Sequence, residues 1–458
     1  MSRLYCILIL LVVTLSVSTG QVFKYVYQGP FPDTTAFKLP FGVINGGLGV
    51  DPAGKVWIQA YGNSSTDSID KGGGVYSFLR PIYVFNPNGT QASFSPIKIL
   101  TGPDPSNVSQ TDTLFSRLGY GGNIDPSDGN FLADWGTLSY KPGMLLWEIN
   151  YKTGAGVRRL LNPTGLTTNS PASVAVNQAG EVYIAGVLGG LPGQIFNPDF
   201  SAGVQFSSNV PAIGRAIAVS RDGNDVYVPR FTGPNKTYVY HSANGSLGPY
   251  ALTDSIFHGA SVEAIAVHPT TGYVWGSADR RSTNDSISTV KRTWTPNTYY
   301  AYNPTTKAIV DSFKVDAWDP GSTGPLPRGI AFSPTGDTVY VGHFDASTIP
   351  AVSRFRRVLT SVERLDEPTV PSGYVLEQNF PNPFNPETEI HFKIAQTGAT
   401  TLRVYDVLGR EVITLVDEAL SPGSYKARFN AANLTSGTYI YVLTSGEQRI
   451  SKKMMLLK

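Results

Sequence analysis

The sequence predicts an all-β chain in two parts, a long repeat-built body and a short sandwich-like tail, and three observations carry that expectation. Gly and Pro are frequent, at 47 and 33 residues, while only 15% of residues are charged. That balance suits many short strands joined by many turns. A phrase of small apolar strand, Gly-bearing turn and second strand with a central aromatic recurs along the body. From Tyr374 onward, short alternating runs are separated by the turn dipeptides Leu408-Gly409, Pro422-Gly423 and Ser436-Gly437.

The repeated phrase occurs at 46–58 (GGLGVDPAGKVWI), 121–132 (GGNIDPSDGNFL), 173–184 (SVAVNQAGEVYI), 216–228 (AIAVSRDGNDVYV), 264–275 (AIAVHPTTGYVW) and 329–341 (GIAFSPTGDTVYV). Asp51, Asp125, Asn177, Ser220, His268 and Ser333 are equivalent positions in it. Gly and Ala in the first strand let the copies crowd around a common axis, and the aromatic of the second fills the gap between neighbouring sheets. A second hairpin follows five of the copies, at 82–89, 146–154, 195–203, 238–245 and 300–307. Its Asn-Pro and Asn-Gly pairs are turn formers, Asn capping the turn and Pro fixing φ. Four strands per unit predict a six-bladed β-propeller. The alternative is seven blades, with a degenerate unit in the long gap between the first two copies. Gly/Ser/Thr/Asn/Pro-rich insertions at 63–74 and 281–297 lengthen the gaps. The last copy has a third strand near Val352 to Val358 and no outer one. The orphan alternating segment Val22 to Tyr27 is expected to complete it and close the ring. The expected division is a propeller over 21–363, a linker over 364–373 and the tail over 374–458.

Residues 1–20 place Arg3 before an apolar run from Leu4 to Val17 and end in Ser18, Thr19 and Gly20, which reads as a secretory signal peptide. Its apolar stretch is too short to span a bilayer, so no transmembrane segment is expected after its removal. Cys6, the one cysteine, lies inside it. The exported chain therefore has no disulfides or thiolate metal sites and relies on its core. A net charge of +2 without a basic run excludes nucleic acid as a dedicated partner.

The tail opens with Pro381, Asn382, Pro383, Phe384, Asn385 and Pro386, a run that denies the backbone helix and central-strand positions. Alternating runs follow around Ile390 to Ile394, Leu402 to Tyr405, Val412 to Leu415, Tyr425 to Phe429, Thr438 to Leu443 and Met454 to Leu457, the pattern of a small Ig-like β-sandwich. The run at 381–386, Val404-Tyr405-Asp406 with Gly409-Arg410, Gly423 before Tyr425, Leu434 with Ser436-Gly437-Thr438-Tyr439, and Lys452-Lys453-Met454 through Lys458 together resemble the C-terminal sorting domain of type IX secretion cargo. The resemblance spans about 85 residues. It implies export by that machinery, and release to the medium or attachment at the outer-membrane surface. It implies no activity.

The body resembles YVTN/SMP-like propellers, including gluconolactonase-type and streptogramin-lyase-type proteins, at its repeat positions only. In a propeller the residue before each inner strand faces the central funnel. That set is Asn45, Tyr120, Ser173, Arg215, Glu263 and Arg328. Two arginines opposite one carboxylate either hold an anionic ligand through planar bidentate donors or neutralise each other across the channel. The lactonase-like proteins hold a divalent cation with Glu, Asn and Asp side chains, so the resemblance implies Glu263 and Asn45 as two calcium-like ligands. No Asp from an adjacent blade completes that set. His258 is either a base at the same mouth or a solvated loop residue. The histidines show no metal spacing, and G-x-S-x-G, G-x-x-x-x-G-K-[ST] and H-E-x-x-H motifs are missing, so no cofactor and no metal site is predicted from the motifs. Asp222, Asn224 and Asp225 read as a blade turn rather than a calcium loop. Trp135, Trp294 and Trp318 lie outside the repeat register and either form a carbohydrate-contact surface or cover blade ends. Asp-Ser/Thr pairs followed by an apolar residue, such as Asp67-Ser68 and Asp254-Ser255, resemble O-glycosylation acceptors of secreted Bacteroidota proteins. The expected function is a non-enzymatic surface or secreted binding protein, with a cell-surface glycan or a protein as ligand. The alternative is a secreted lactonase-type hydrolase or lyase with a cation in the funnel.

Overall fold

The computed structural model describes residues 23–33, 44–60, 68–70, 76–78, 81–98, 100–104, 107–114, 121–134, 144–161, 171–186, 191–210, 215–230, 235–279, 282–283, 293–315, 326–344, 351–359, 362–365, 371–396, 398–420, 422–431 and 434–458. The expected signal peptide, Tyr120, Trp135 and Trp318 lie outside them. Apart from one turn of 3-10 helix at Gly245–Leu247, the regular elements among the described residues are strands. The chain divides into two compact units, one over Lys24–Val358 and one that takes in Leu359–Lys458.

In the first unit each copy of the repeated phrase forms the two inner strands of an antiparallel sheet. Ile44–Val50 pairs with Val56–Ala60 and then Ile82–Phe85. Asn123–Ile124, Phe131–Asp134, Met144–Ile149 and Gly156–Leu161 form the next sheet, followed by Pro171–Val176, Val182–Gly186, Leu191–Phe196 and Ala202–Val210. Then come Ala218–Val219, Asp225–Arg230, Lys236–His241 and Ala251–Ile256, and after them Ile265–Val267, Val274–Ala278, Thr298–Asn303 and Ala308–Lys314. The last sheet contains Leu326–Phe332, Thr338–Phe344 and Val352–Leu359, and its outermost strand is the amino-terminal Phe23–Pro30. The orphan strand thus completes the last unit as the sequence led us to expect. The first sheet differs from the expected four strands. After Ile82–Phe85 the chain returns through single bridges, Phe85 to Gln91 and Ile82 to Ile97, rather than a ladder.

The innermost strands contact one another in sequence, from Ile44–Val50 through Asn123–Ile124, Pro171–Val176, Ala218–Val219 and Ile265–Val267 to Leu326–Phe332, which returns to Ile44–Val50. This is a closed ring of sheets, a β-propeller. Closure leaves no inner strand edge open to another chain. Small residues permit the approach: a Cβ on Gly49 would stand 2.9 Å from Ile124 of the next sheet. Aromatics fill the wedges between sheets. Trp57, fully buried, stacks on Phe131 of the next sheet with ring centres 5.0 Å apart, and Tyr183, Tyr227, Trp275 and Tyr340 are buried at the equivalent position.

The equivalent turn position has a single physical role. Asp51 Oδ1 accepts from the amides of Ala53 and Lys55 at 2.9 Å, and Asn177 Oδ1 from Ala179 and Glu181. Ser220 and Ser333 hydroxyls accept from Asp225 and Thr338, and His268 Nδ1 from Thr270 and Thr271. Each side chain satisfies turn amides that the hairpin leaves unpaired. Asp222 does the same for Asn224, within the turn expected there.

The second unit has two four-stranded antiparallel sheets. One orders Val362–Leu365, Gly423–Asn430, Glu387–Ile394 and Val375–Leu376, and the other Glu411–Leu420, Gly398–Tyr405, Gly437–Ser445 and Gln448–Leu456. Alternate residues of both, Ile390, Phe392, Leu402, Val404, Tyr441 and Leu456 among them, share one buried core. Here the structure corrects the expected boundary. Val362–Leu365 pairs with Gly423–Asn430, so the end of the expected propeller (through 363) and the start of the expected linker (364–373) belong to the tail unit. Its pairing partner comes some sixty residues later, which local pattern does not reveal.

Candidate functional site

The inner strands enclose an axial cavity of about 400 Å³. Its walls are mostly Gly, Ala, Val and Ile of those strands, with Pro52, Pro126, Pro269 and Pro334 following the turn position at one mouth. Of the expected polar funnel residues, Arg328 is the one among the described lining residues. Among the described lining residues only Arg221 and Arg328 are charged. Arg221 lies at the turn end, where its Nε and Nη2 donate to Gln178 Oε1.

Arg328 lies at the other end, placed there by a β-bulge. Pro327 pairs with His343 and Gly329 with Gly342, so Arg328 is the extra residue between two successive pairs. A bulge re-aims a side chain that regular alternation would send elsewhere. The result is a guanidinium 2% exposed, lying 4.8 Å from the Phe344 ring centre. Its Nη1 pairs with the fully buried Glu263 carboxylate. Its Nε is buried and makes no hydrogen bond among the described residues. Arg215 Nη1 reaches Glu263 Oε2 at 3.4 Å from the other side. Three of the expected funnel residues, Arg215, Glu263 and Arg328, therefore do come together, with the carboxylate between the two cations. A buried charge without such partners costs several kcal/mol.

The remaining expected residues divide differently. Asn45 and Ser173 lie within Ile44–Val50 and Pro171–Val176, and their side chains fall outside the described residues. His258 is partly buried, with its carbonyl accepting from Trp294 Nε1 at 2.8 Å and its Nδ1 buried without a hydrogen bond among the described residues. Trp294 is 6% exposed and packs on Phe257 and Tyr300, so it covers a sheet end and presents no contact surface. Among the described residues no three His, Cys, Asp or Glu side chains cluster as a metal site. Arg221 escaped the sequence reading, although it directly follows the turn position Ser220.

In the tail, the sorting-motif residues converge on one end of the two sheets. Phe384 is buried against Phe429, its amide donating to Met455 O and its carbonyl accepting from Leu457 N. Asn382 Oδ1 accepts from the Met455 amide at 2.9 Å. The proline-rich run thereby covers the outer edge of the last strand, in which Lys453 pairs with Ile440. Asp406 Oδ1 caps the turn amides of Leu408 and Arg410, Gly409 takes φ +79°, and Arg410 Nε returns to Asp406 Oδ2 at 2.7 Å. Tyr405 pairs with Ile440 beside this turn. Ser436 Oγ accepts from Lys458 N, Gly437 pairs with Leu456, and Tyr439 donates to Thr435 O. Pro381 O accepts from Thr388 and Asn379. Phe380, Val407 and Leu408 remain exposed.

Residues 378–457 match the family model described as the secretion system C-terminal sorting domain. The tail is a type IX sorting domain. This sorting domain marks the protein as cargo of that machinery, secreted or attached at the outer-membrane surface. Among solved structures, the chain is similar to the Myceliophteria thermophila Cps50 (Swd1) β-propeller domain, at 9% identity and a TM-score of 0.38 over 64% of this chain and 99% of that one. It is also similar to a chain of the nidogen/laminin complex, at 7% identity and a TM-score of 0.37 over 73% and 89%. No curated protein matches the chain. Among the described residues no helix is long and apolar enough to cross a membrane.

Proposed function

We propose that the protein is an exported six-bladed β-propeller that binds a ligand at the cell surface or in the medium, carried there by an Ig-like sorting sandwich. The observation that carries this reading is the closed ring of inner strands around an axial cavity, on a chain whose tail addresses it outward. Small pockets of this size in rigid scaffolds are ordinary ligand sites. Six blades rest on the ring order and on the amino-terminal strand completing the last sheet. The cavity's cation, Arg328, is held by packing and by Glu263, an arrangement suited to recognition. The test compares binding and turnover in the secreted protein with and without chelator. Saturable binding of a surface glycan, peptide or small molecule, without chelator-sensitive hydrolysis of lactones, is the expected result. Chelator-sensitive turnover overturns it in favour of a lactonase-type enzyme.

A further inference from the structure

We infer that the axial cavity recognises a neutral cyclic polyol of monosaccharide size, chiefly through the main-chain edges of the innermost strands. This rests on the reading of the propeller as a binding module and names the ligand class of that site. The lining runs through consecutive residues, 216–219 in one strand and 264–267 in the next. A strand that turned one face to the cavity would line it with every second residue. The packing agrees: Ile217 and Val219 share a core with Ala175 of the preceding sheet, and Ala216 and Ala218 share one with Ile265 of the following sheet. Side chains thus leave to both sides, and the strand meets the cavity edge-on. Each innermost strand stands at the end of its sheet and pairs on one side only, so the N–H and C=O groups of its other edge face the axis.

One such group is already in use across two sheets: Val174 O accepts from Asn123 Nδ2 at 3.2 Å, and both residues line the cavity. The wall therefore alternates donors and acceptors, with Ala, Val and Ile side chains between them. A hydroxyl donates and accepts at once, so a ring of hydroxyls meets either kind of group in every direction around the axis. Its C–H faces cover the aliphatic parts. A hydrocarbon would desolvate the edge groups without replacing their partners. A carboxylate only accepts, and would face main-chain carbonyls. The charged side chains among the described lining residues are also engaged, Arg328 with Glu263 and Arg221 with Gln178 Oε1.

Calorimetric titration of the secreted full chain with glucose, galactose and mannose tests this, with the matching uronate and cyclohexanol as controls. At least one hexose is expected to bind saturably, and its uronate and cyclohexanol at least about tenfold more weakly. Amide hydrogen exchange with that hexose added is expected to slow along 216–219 and 264–267, since main-chain groups make the contacts. Gln178→Trp, a substitution at an exposed lining position of the turn mouth, is expected to weaken binding at least about tenfold at an unchanged melting temperature. Binding by none of the three hexoses, equal binding of the uronate or of cyclohexanol, or binding without slower exchange in those strands overturns the inference. Full affinity in a folded Gln178→Trp protein does so as well. Saturable binding of a peptide or an anion in place of the hexoses overturns it too, and leaves the binding-module reading standing. Chelator-sensitive turnover removes that reading instead.

Discussion

The Tyr25 hydroxyl lies 3.0 Å from His268 Nε2, and this contact ties the first strand of the chain to a turn of the neighbouring sheet. His268 Nδ1 accepts from the Thr270 and Thr271 amides, so Nε2 carries the proton and donates to Tyr25. The Tyr25 hydroxyl in turn donates to Gly336 O in the last sheet. Three segments distant in sequence thus share one buried polar chain at the point where the ring closes. Tyr25→Phe leaves the imidazole N–H and the Gly336 carbonyl without partners and is expected to cost about 1–3 kcal/mol in denaturant unfolding. An unchanged midpoint contradicts the clasp.

Burial, reinforced by the Arg357 charge, lowers the His268 pKa from 6.5 to about 4. As pH falls, the unfolded chain takes up this proton before the folded one. Stability is therefore lost between about pH 6.5 and 4 and not above, by up to about 3 kcal/mol. His343, buried and lowered to about 3, acts in the same direction. Asp311, raised to about 6 by burial, acts in the opposite one. His268→Gln removes one contribution, so urea midpoints at pH 7 and pH 4.5 should differ less in the variant than in the parent. An equal difference would falsify the assignment.

Gly336 has φ +75°, and a Cβ there would stand 2.2 Å from His268 Cε1, whereas Gly272, at φ +71°, has open space around it. Gly272→Ala therefore carries only the left-handed backbone cost, about 1 kcal/mol. Gly336→Ala adds a steric overlap in the clasp and is expected to lower the melting temperature of the propeller clearly further. Equal effects would show that the imidazole does not pack on this turn.

In the sorting domain, Phe384 is 2% exposed and Phe380 is 80% exposed, four residues apart in the same proline-rich run. Phe384→Ala is expected to destabilise the domain by about 3–5 kcal/mol. Phe380→Ala should stay within about 0.5 kcal/mol. Calorimetry of the two variants decides this, and a neutral Phe384→Ala would contradict the account of the run as an edge cover.

Much of this was legible in the sequence because the repeat is local. The Gly/Ala strand, the turn acceptor and the aromatic wedge recur in each copy, so Trp57 and Tyr183 could be placed in the core directly. The orphan strand at the amino terminus was legible by elimination, since the last copy lacked a partner. Two things were not. Val362–Leu365 pairs with a strand far along the chain, and pairing across such a distance leaves no local signature. The bulge at Arg328 is a register shift, and only the flanking Pro327 and Gly329 hinted at it. Its neighbours Arg215 and Glu263 were found by position before the inner strand, while Arg221, after the turn at the opposite mouth, was overlooked.

Amide hydrogen exchange on the secreted protein tests ring closure most directly. The account predicts that Phe23–Pro30 and Val352–Leu359, adjacent strands of one sheet, are protected together and open with the same free energy. Fast exchange across Phe23–Pro30 beside a protected Val352–Leu359 would mean that the first strand does not close the ring.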